Sequence, residues 1–447
     1  MHRYWHKYAP HYREIVKLSL PIMVAQLGTI VTGYADTIMV GHYSTAALAA
    51  SSLVTNLFNL VILLSLGFSY GITPLVGTLH ARGDSTGCGG MLRQALMANV
   101  LWGAVLIGAM AVLYGLLGHM GQPQEIMPLV RSYYLIILAS MVPVVLTHVM
   151  RQFCDAVGHT ALGMWIFTAG NVLNIVGNYA LIFGHWGCPE MGLEGAGWST
   201  FIARLMMAVA YVAYVAISRR YRPIVQGFKT SLISRQQVKQ VTKTSVPIAM
   251  QMGTETCIFT FATIVAGWLG ADDLAAYQTL VMLGSLGFMI YYAFGAGMAI
   301  KISHYRGLGD RAGVRASAHA GYAVTLLFTL VACIIFIAAG RWILAIFSPD
   351  PAVTTLAVSL IIPLSLYQLG DATQVTFANA LRGMGQVMPM MHRALVAYLL
   401  VGLPLIWALA MPTGWGLTGI YIAFFVALLT AGLLFAHKFR QVVKQER

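Results

Sequence analysis

Charge is scarce in this chain. Asp, Glu, Lys and Arg supply 9% of its 447 residues, against roughly 25% in an ordinary soluble domain. With 58% hydrophobic residues and a mean hydropathy of +0.75, too few polar groups remain to cover a water-facing surface. A soluble fold is excluded, and the composition describes a polytopic membrane protein. Cysteine is sparse as well. Cys88, Cys154, Cys188, Cys257 and Cys333 are scattered without metal-ligand spacing, which gives no basis for a disulfide framework or a metal centre. The chain has no GxxxxGKS/T run and no loop long enough to fold as a nucleotide-binding or catalytic domain. Any energy must then come from an ion gradient, or no energy is coupled at all, and no cofactor is expected.

What the chain does have is apolar length. Runs of about 20 residues or more, enough to cross hydrocarbon, fall near 16–40, 47–77, 93–118, 128–149, 161–184, 194–217, 243–268, 274–302, 316–345, 353–379, 389–411 and 417–437. The opening residues MHRYWHKYAPHYRE are too polar for a signal-peptide core, so the first run should stay as a spanning helix. The second run carries Gly67, Gly71 and Pro74, which predicts a bend or tilt. Net charge is +13, which in a soluble protein would suggest nucleic acid. Here the Lys and Arg residues gather at the N-terminus, in alternate loops and in the tail, while the loops near 42–46, 119–127, 185–193, 269–273, 346–352 and 412–416 have none; Arg131 and Arg341, near outer ends, and Arg204, inside the sixth span, are the exceptions. By the positive-inside rule both termini are cytosolic, and the charge is an orientation signal rather than a nucleic-acid surface. Trp186, Trp268, Trp342 and Trp415 fall at the ends assigned to the outer face, where indoles prefer to sit. The basic stretch from Ser218 to Thr242 should lie as a partly helical linker against anionic head groups.

The chain also repeats itself. SLPI at Ser19 returns as SVPI at Ser245, with Pro21 on Pro247, and the same offset of 226 residues places Gly41 on Gly267, Gly71 on Gly297 and Asp84 on Asp310. A constant offset held over so long a stretch is an internal duplication. The halves differ where chemistry is concerned: Asp36 falls on Ala262, and Glu255 falls on Thr29.

An acid inside hydrocarbon costs at least a few kcal/mol, which makes it a functional candidate. Asp36 lies 19 residues past Lys17, roughly 28 Å along a helix, toward the outer leaflet. Asn174, Asn178 and Thr200 share that depth, with Asn174 and Asn178 on one helix face. Together they could form an oxygen-rich cage, or the three neutral side chains could be interhelical hydrogen-bonding contacts. In the second half Glu255 lies 12 residues past Lys243 and Asp371 lies 11 before Arg382, roughly 18 and 16 Å from the cytosolic face. They can meet, and Tyr367, one turn from Asp371, adds a hydroxyl. Paired acids in low dielectric hold a cation or share a proton, and either would couple transport to Na⁺ or H⁺. Gln26, Gln251, Gln278, Gln368 and Gln374 could line a cavity, or each could be an interhelical packing contact. Arg204, inside the sixth span, could touch an anionic partner or serve structurally, its guanidinium paired within the bundle or turned to a cavity. Pro21 interrupts the first helix and is a candidate hinge.

The segments SLPIMVAQ and GYADTIMVG, NVLNIVGNYALIFG with GLEGAGWST, SVPIAMQMGTETC and LYQLGDATQVTFANALRGMG resemble those of the multidrug and toxic compound extrusion (MATE) family, across nearly the whole length. The resemblance implies two six-helix bundles facing a central cleft, alternating access, and export of organic cations in exchange for Na⁺ or H⁺. Glu255 and Asp371 look like the acids of the family's NorM-type branch. Asp36, Asn174 and Thr200 match the first-half cation site, and Asn178 stands where some relatives carry a second Asp.

The expected fold is therefore all-α, a polytopic membrane protein with twelve transmembrane helices in two pseudo-symmetric six-helix bundles. The bundles take residues 1–217 and 243–447, joined by a linker over 218–242. The expected activity is drug efflux by a monomer in a bacterial inner membrane, with small organic cations and the lipid bilayer as partners. A flippase of lipid-linked precursors would usually have extra spans and a more basic cavity. An intramembrane enzyme using Glu255 and Asp371 would lack a nucleophile, and nothing resembles a channel filter.

Overall fold

The computed structural model describes residues 2–119, 123–347 and 350–445. Residues 120–122 and 348–349 of two expected outer loops, the tail charge Arg447 and the side chains of Arg3 and Lys7 lie outside the described residues. The described chain is helical from end to end and has no strand. In order it forms α1 (His2–Tyr43), α2 (Thr45–Ser69), α3 (Ile72–Ala81), α4 (Ser85–Leu116), α5 (Met127–Ala156), α6 (Thr160–Phe183), α7 (Gly192–Ile217) and α8 (Arg222–Thr230). Then follow α9 (Arg235–Leu269), α10 (Ala271–Gly307), α11 (Arg311–Phe347), α12 (Pro351–Ser359), α13 (Ile361–Gly383), α14 (Val387–Leu395), α15 (Leu403–Ala410) and α16 (Gly416–Gln445). Among the described residues eleven helical segments are long and apolar enough to cross a membrane, and twelve when α12 and α13 count as one span.

The breaks within spans follow proline chemistry. A proline has no N–H for the carbonyl four residues earlier, and its ring crowds that carbonyl. Pro74 leaves the Tyr70 carbonyl unserved, α2 ends there, and Thr73 N turns back to Tyr70 O at 3.3 Å. The bend expected in the second span is thus a change of helix at Tyr70–Gly71. Pro363 does the same to Ser359, and the tenth span, expected as one run over 353–379, is bent by 53° at Leu360. Ahead of Pro404 the chain widens into a π-helical stretch, Val396–Gly402, a common way to absorb a missing bond. Pro21, Pro143 and Pro247 lie inside helices that continue through them.

By proximity the chain forms two compact units: Val24–Ala249, and Met250–Arg447 together with Met1–Met23. Both boundaries fall just after a proline, Pro21 and Pro247. Within the second unit the start of α1 is built in among α10 and α11, with Ile15 against Phe294, Ala320 and Val324, and Ile22 against Ala293 and Ile300. Glu14 pairs with Lys301 Nζ at 2.5 Å. Within the first unit Val241 and Ala249 of α9 belong to the core of Phe68, Ile72, Phe153 and Tyr221. The duplication reappears as matched close approaches. A Cβ on Gly71 would lie 2.1 Å from Ser245 Oγ, and one on Gly297 would lie 2.2 Å from Ser19 Oγ. Trp186, Trp268, Trp342 and Trp415 are all exposed.

Part of the connection over 218–242 is built into the first unit, with Tyr221, Ile224 and Val241 in its core. Its α8 packs on the start of α4 with backbone nearly touching backbone: a Cβ on Gly89 would stand 1.9 Å from Ile224 O, and one on Gly227 would stand 2.1 Å from Thr86 O. The last carbonyls of a helix have no partner within it. Here Arg93 Nη1 donates to Phe228 O at 3.2 Å and also to Ser231 O, while Gln94 takes Leu232 O at 2.8 Å and Ser234 N at 3.0 Å. Gly89→Ala should therefore separate α8 from α4 and lower stability by about 1–3 kcal/mol, as overpacking does. Gly90→Ala, whose Cβ would meet Ser231 Cβ at an ordinary 3.4 Å, should be near neutral. Thermal unfolding of the detergent-solubilised variants distinguishes the two, and equal melting temperatures would refute the close dock.

Candidate functional site

The second-half acids lie on one wall. Glu255 of α9 and Asp371 of α13 line a cavity of about 170 Å³, with Phe259, Phe288, Tyr367, Tyr421 and Phe424 among its other walls. Phe424 stands at the centre of the aromatic side, 4.8 Å from the Phe259 ring centroid and 5.6 Å from that of Tyr367. Each acid is held by donors rather than left bare. Glu255 Oε2 accepts from Gln251 Nε2 at 2.7 Å, one helical turn away, and from Gln374 Nε2 at 3.1 Å. Gln374 also bonds the Tyr398 hydroxyl. Asp371 Oδ2 accepts from the Tyr291 hydroxyl at 2.5 Å and from the Tyr367 hydroxyl at 3.5 Å. Asp371 is 1% exposed, yet its Oδ1 has no hydrogen-bond partner among the described residues. A buried oxygen without a donor is costly unless something else satisfies it.

The first-half residues also come together. Asp36 of α1 accepts at Oδ1 from Asn178 Nδ2 of α6. With its amide nitrogen turned toward the acid, Asn174 donates to the same oxygen at 2.8 Å and accepts from Thr200 Oγ1 of α7 at 3.2 Å. Asn171, Asn174 and Asn178 are buried on one face of α6, as spacings of three and four require. Gly177 admits α7 closely, since a Cβ there would stand 2.4 Å from Ser199 Oγ, and Ser199 donates to the Asn174 carbonyl at 2.7 Å. Arg204 Nη1 donates to Ser140 Oγ of α5 at 2.7 Å, and its charge acts on Asp36.

Both groups of residues expected from the sequence are thus assembled, one in each unit. Asp36, Asn174, Asn178 and Thr200 form a bonded chain, and Glu255, Tyr367 and Asp371 share a cavity wall. Tyr367 is the weaker partner of Asp371. Tyr291, the closer donor, was not singled out, because a tyrosine within an apolar run carries no mark of its aim. From the sequence Gln251 and Gln374 could line a cavity or pack between helices, and the four-residue spacing of Gln251 and Glu255 was a usable signal. Pro21 sits partly exposed in an unbroken α1.

The chain matches the MatE family at residues 21–180 and again at 247–408, the same offset as the internal duplication. It is similar to the multidrug resistance protein PmpM of Pseudomonas aeruginosa, with 32% identity over 97% of this chain and 94% of that protein. A probable multidrug resistance protein NorM of Agrobacterium fabrum is 27% identical over 98% of this chain and 95% of its own. Among solved structures, a MOP superfamily transporter from Pyrococcus furiosus superposes with a TM-score of 0.88 at 17% identity, over 98% of this chain and 96% of that one. The chain belongs to the MATE family of multidrug transporters, and it is a multi-pass membrane transporter rather than an enzyme.

The two phenols on Asp371 should be unequal. Tyr291→Phe should lower stability by about 1.5–3 kcal/mol, the range for a lost hydrogen bond to a charged group, while Tyr367→Phe, whose contact is at the limit of hydrogen bonding, should cost less. Melting curves of the purified variants give the ranking, and a Tyr367→Phe loss as large as that of Tyr291→Phe would reverse the assignment.

Proposed function

We propose that the protein exports small amphipathic organic cations in exchange for Na⁺ or H⁺ by alternating access, as a monomer in a bacterial inner membrane with both termini cytosolic. The observation that carries the reading is the pair of acids lining one aromatic cavity, one of them, Asp371, with a buried oxygen that no donor satisfies among the described residues. Glu255, Asp371, Tyr367 and Tyr291 take the coupling ion. Aromatic faces beside an acid suit an organic cation. The bonded chain Asn178–Asp36–Asn174–Thr200 forms a second cation-responsive site in the first half.

An antiporter links ion and drug through one conformational equilibrium. In liposomes with Na⁺ and H⁺ gradients imposed separately, Glu255→Gln and Asp371→Asn should each abolish gradient-driven dye efflux while dye binding to the solubilised protein largely survives. Asp36→Asn should stop transport as well. If both second-half variants transport like wild type while Asp36→Asn is dead, coupling belongs to the first half.

Pro21 acts as a hinge in this reading, since its missing N–H frees the Lys17 carbonyl and lets α1 bend. Pro21→Ala should slow turnover with expression and dye affinity close to normal. Unchanged transport removes the hinge.

A further inference from the structure

Arg382 reads in the sequence as one of the cytosolic loop cations, but it is buried in the last turn of α13 and only 6% exposed. Its Nη2 donates to Gln251 Oε1 at 2.6 Å, and the other end of that amide donates to Glu255 at 2.7 Å. A guanidinium carries donors only, so it fixes which way Gln251 points and leaves that amide able only to donate to the acid. Its charge acts on Glu255 across this single side chain. Asp371 is placed differently. Its bonded partners are the neutral phenols of Tyr291 and Tyr367, and its second oxygen has no partner among the described residues. A buried charge is tolerated when a partner of opposite sign compensates it and is costly when it stands alone. Of two neighbouring carboxylates, one has a resident partner and the other has none.

We propose that Arg382 is the permanent counter-charge of Glu255, positioned through Gln251, so that the cavity carries one uncompensated negative charge, at Asp371, and takes up one monovalent cation at a time. The proposal rests on the reading of this cavity as the ion site and adds its charge count. It makes Arg382 a positioning residue, since it reaches the acid through Gln251. It also separates the two halves, because in the first half the charge of Arg204 acts on the single acid Asp36.

The test uses full-length protein in liposomes with ethidium as the exported dye, with efflux followed against increasing Na⁺ and, separately, increasing H⁺. Wild type should show a single-ion dependence on the coupling ion. Arg382→Gln leaves two uncompensated acids, so the dependence should steepen to that of two ions and Mg²⁺ should begin to compete. Arg382→Lys keeps the charge and should restore the single-ion dependence. A wild-type slope without Mg²⁺ competition in Arg382→Gln overturns the proposal, as does a lysine variant altered as much as the glutamine variant. Should Arg382→Gln be too unstable to assay, the paired change Glu255→Gln with Arg382→Gln decides. Removing both charges together should give a higher melting temperature than Arg382→Gln alone, and no recovery overturns the counter-charge. Glu255→Gln and Asp371→Asn that transport like wild type refute the ion site and the proposal with it. Loss in those two with an unchanged Arg382→Gln slope refutes the counter-charge alone.

Discussion

A carboxylate placed in hydrocarbon costs about 3 kcal/mol or more unless the protein supplies what water would have supplied, and the interiors of both units are arranged around that cost. At Asp36 the compensation is a row of amides spaced along one face of α6. At Glu255 it is two glutamine amides, one of them a single turn away on the same helix. At Asp371 it is a pair of phenols. In each case the helix repeat decides which donors can converge, and the small residues decide how closely the helices carrying them approach. Gly177 beside Ser199 and Gly287 beside Gln368, where a Cβ would stand 1.9 Å from Oε1, are two such places.

These arrangements also differ in how completely they are closed. Asp36 and Glu255 are each met by amide donors with an arginine charge acting on them, whereas Asp371 keeps an oxygen facing no donor. A transporter has to bind its ion weakly enough to release it. On the proposed reading of this cavity as the ion site, an acid without a charged partner beside one met by an arginine charge suits that need better than two bare acids would.

Much of the fold was legible in the sequence. The spans, the duplication and the acids follow from apolar length, a constant offset and the rarity of charge in such runs. Each acid is isolated in its run, so its partners could be sought at spacings of four and at equal depth, which is how Tyr367 and the asparagines were found. What was hidden has a common cause. Tyr291, Tyr398, Gln374 and Arg382 reach their partners across helices distant in sequence, and no local spacing records such a meeting. Arg382 also lies where an orientation signal is expected, so its burial was masked by a rule that explains its neighbours correctly. The break of the tenth span at Leu360 was missed although Pro363 announces it. The same chemistry was read correctly at Pro74, where nearby glycines drew attention to it.

The division of α1 and α9 between the two units bears on how the protein is made. Residues up to Met23 belong with the unit that ends the chain, and the stretch before Met250 belongs with the unit that begins it. A ribosome delivers the chain from its N-terminus, and domains generally fold in that order. The unit of Val24–Ala249 is fully synthesised first and can close once α9 has begun to emerge. Glu14, Ile15, Ser19 and Ile22 of α1 are made before all of that unit's core, yet their packing partners on α10 and α11 follow only after it is complete. That segment of α1 therefore waits without its final neighbours while a whole unit is made, and the later of the two units is completed by residues that precede the earlier one.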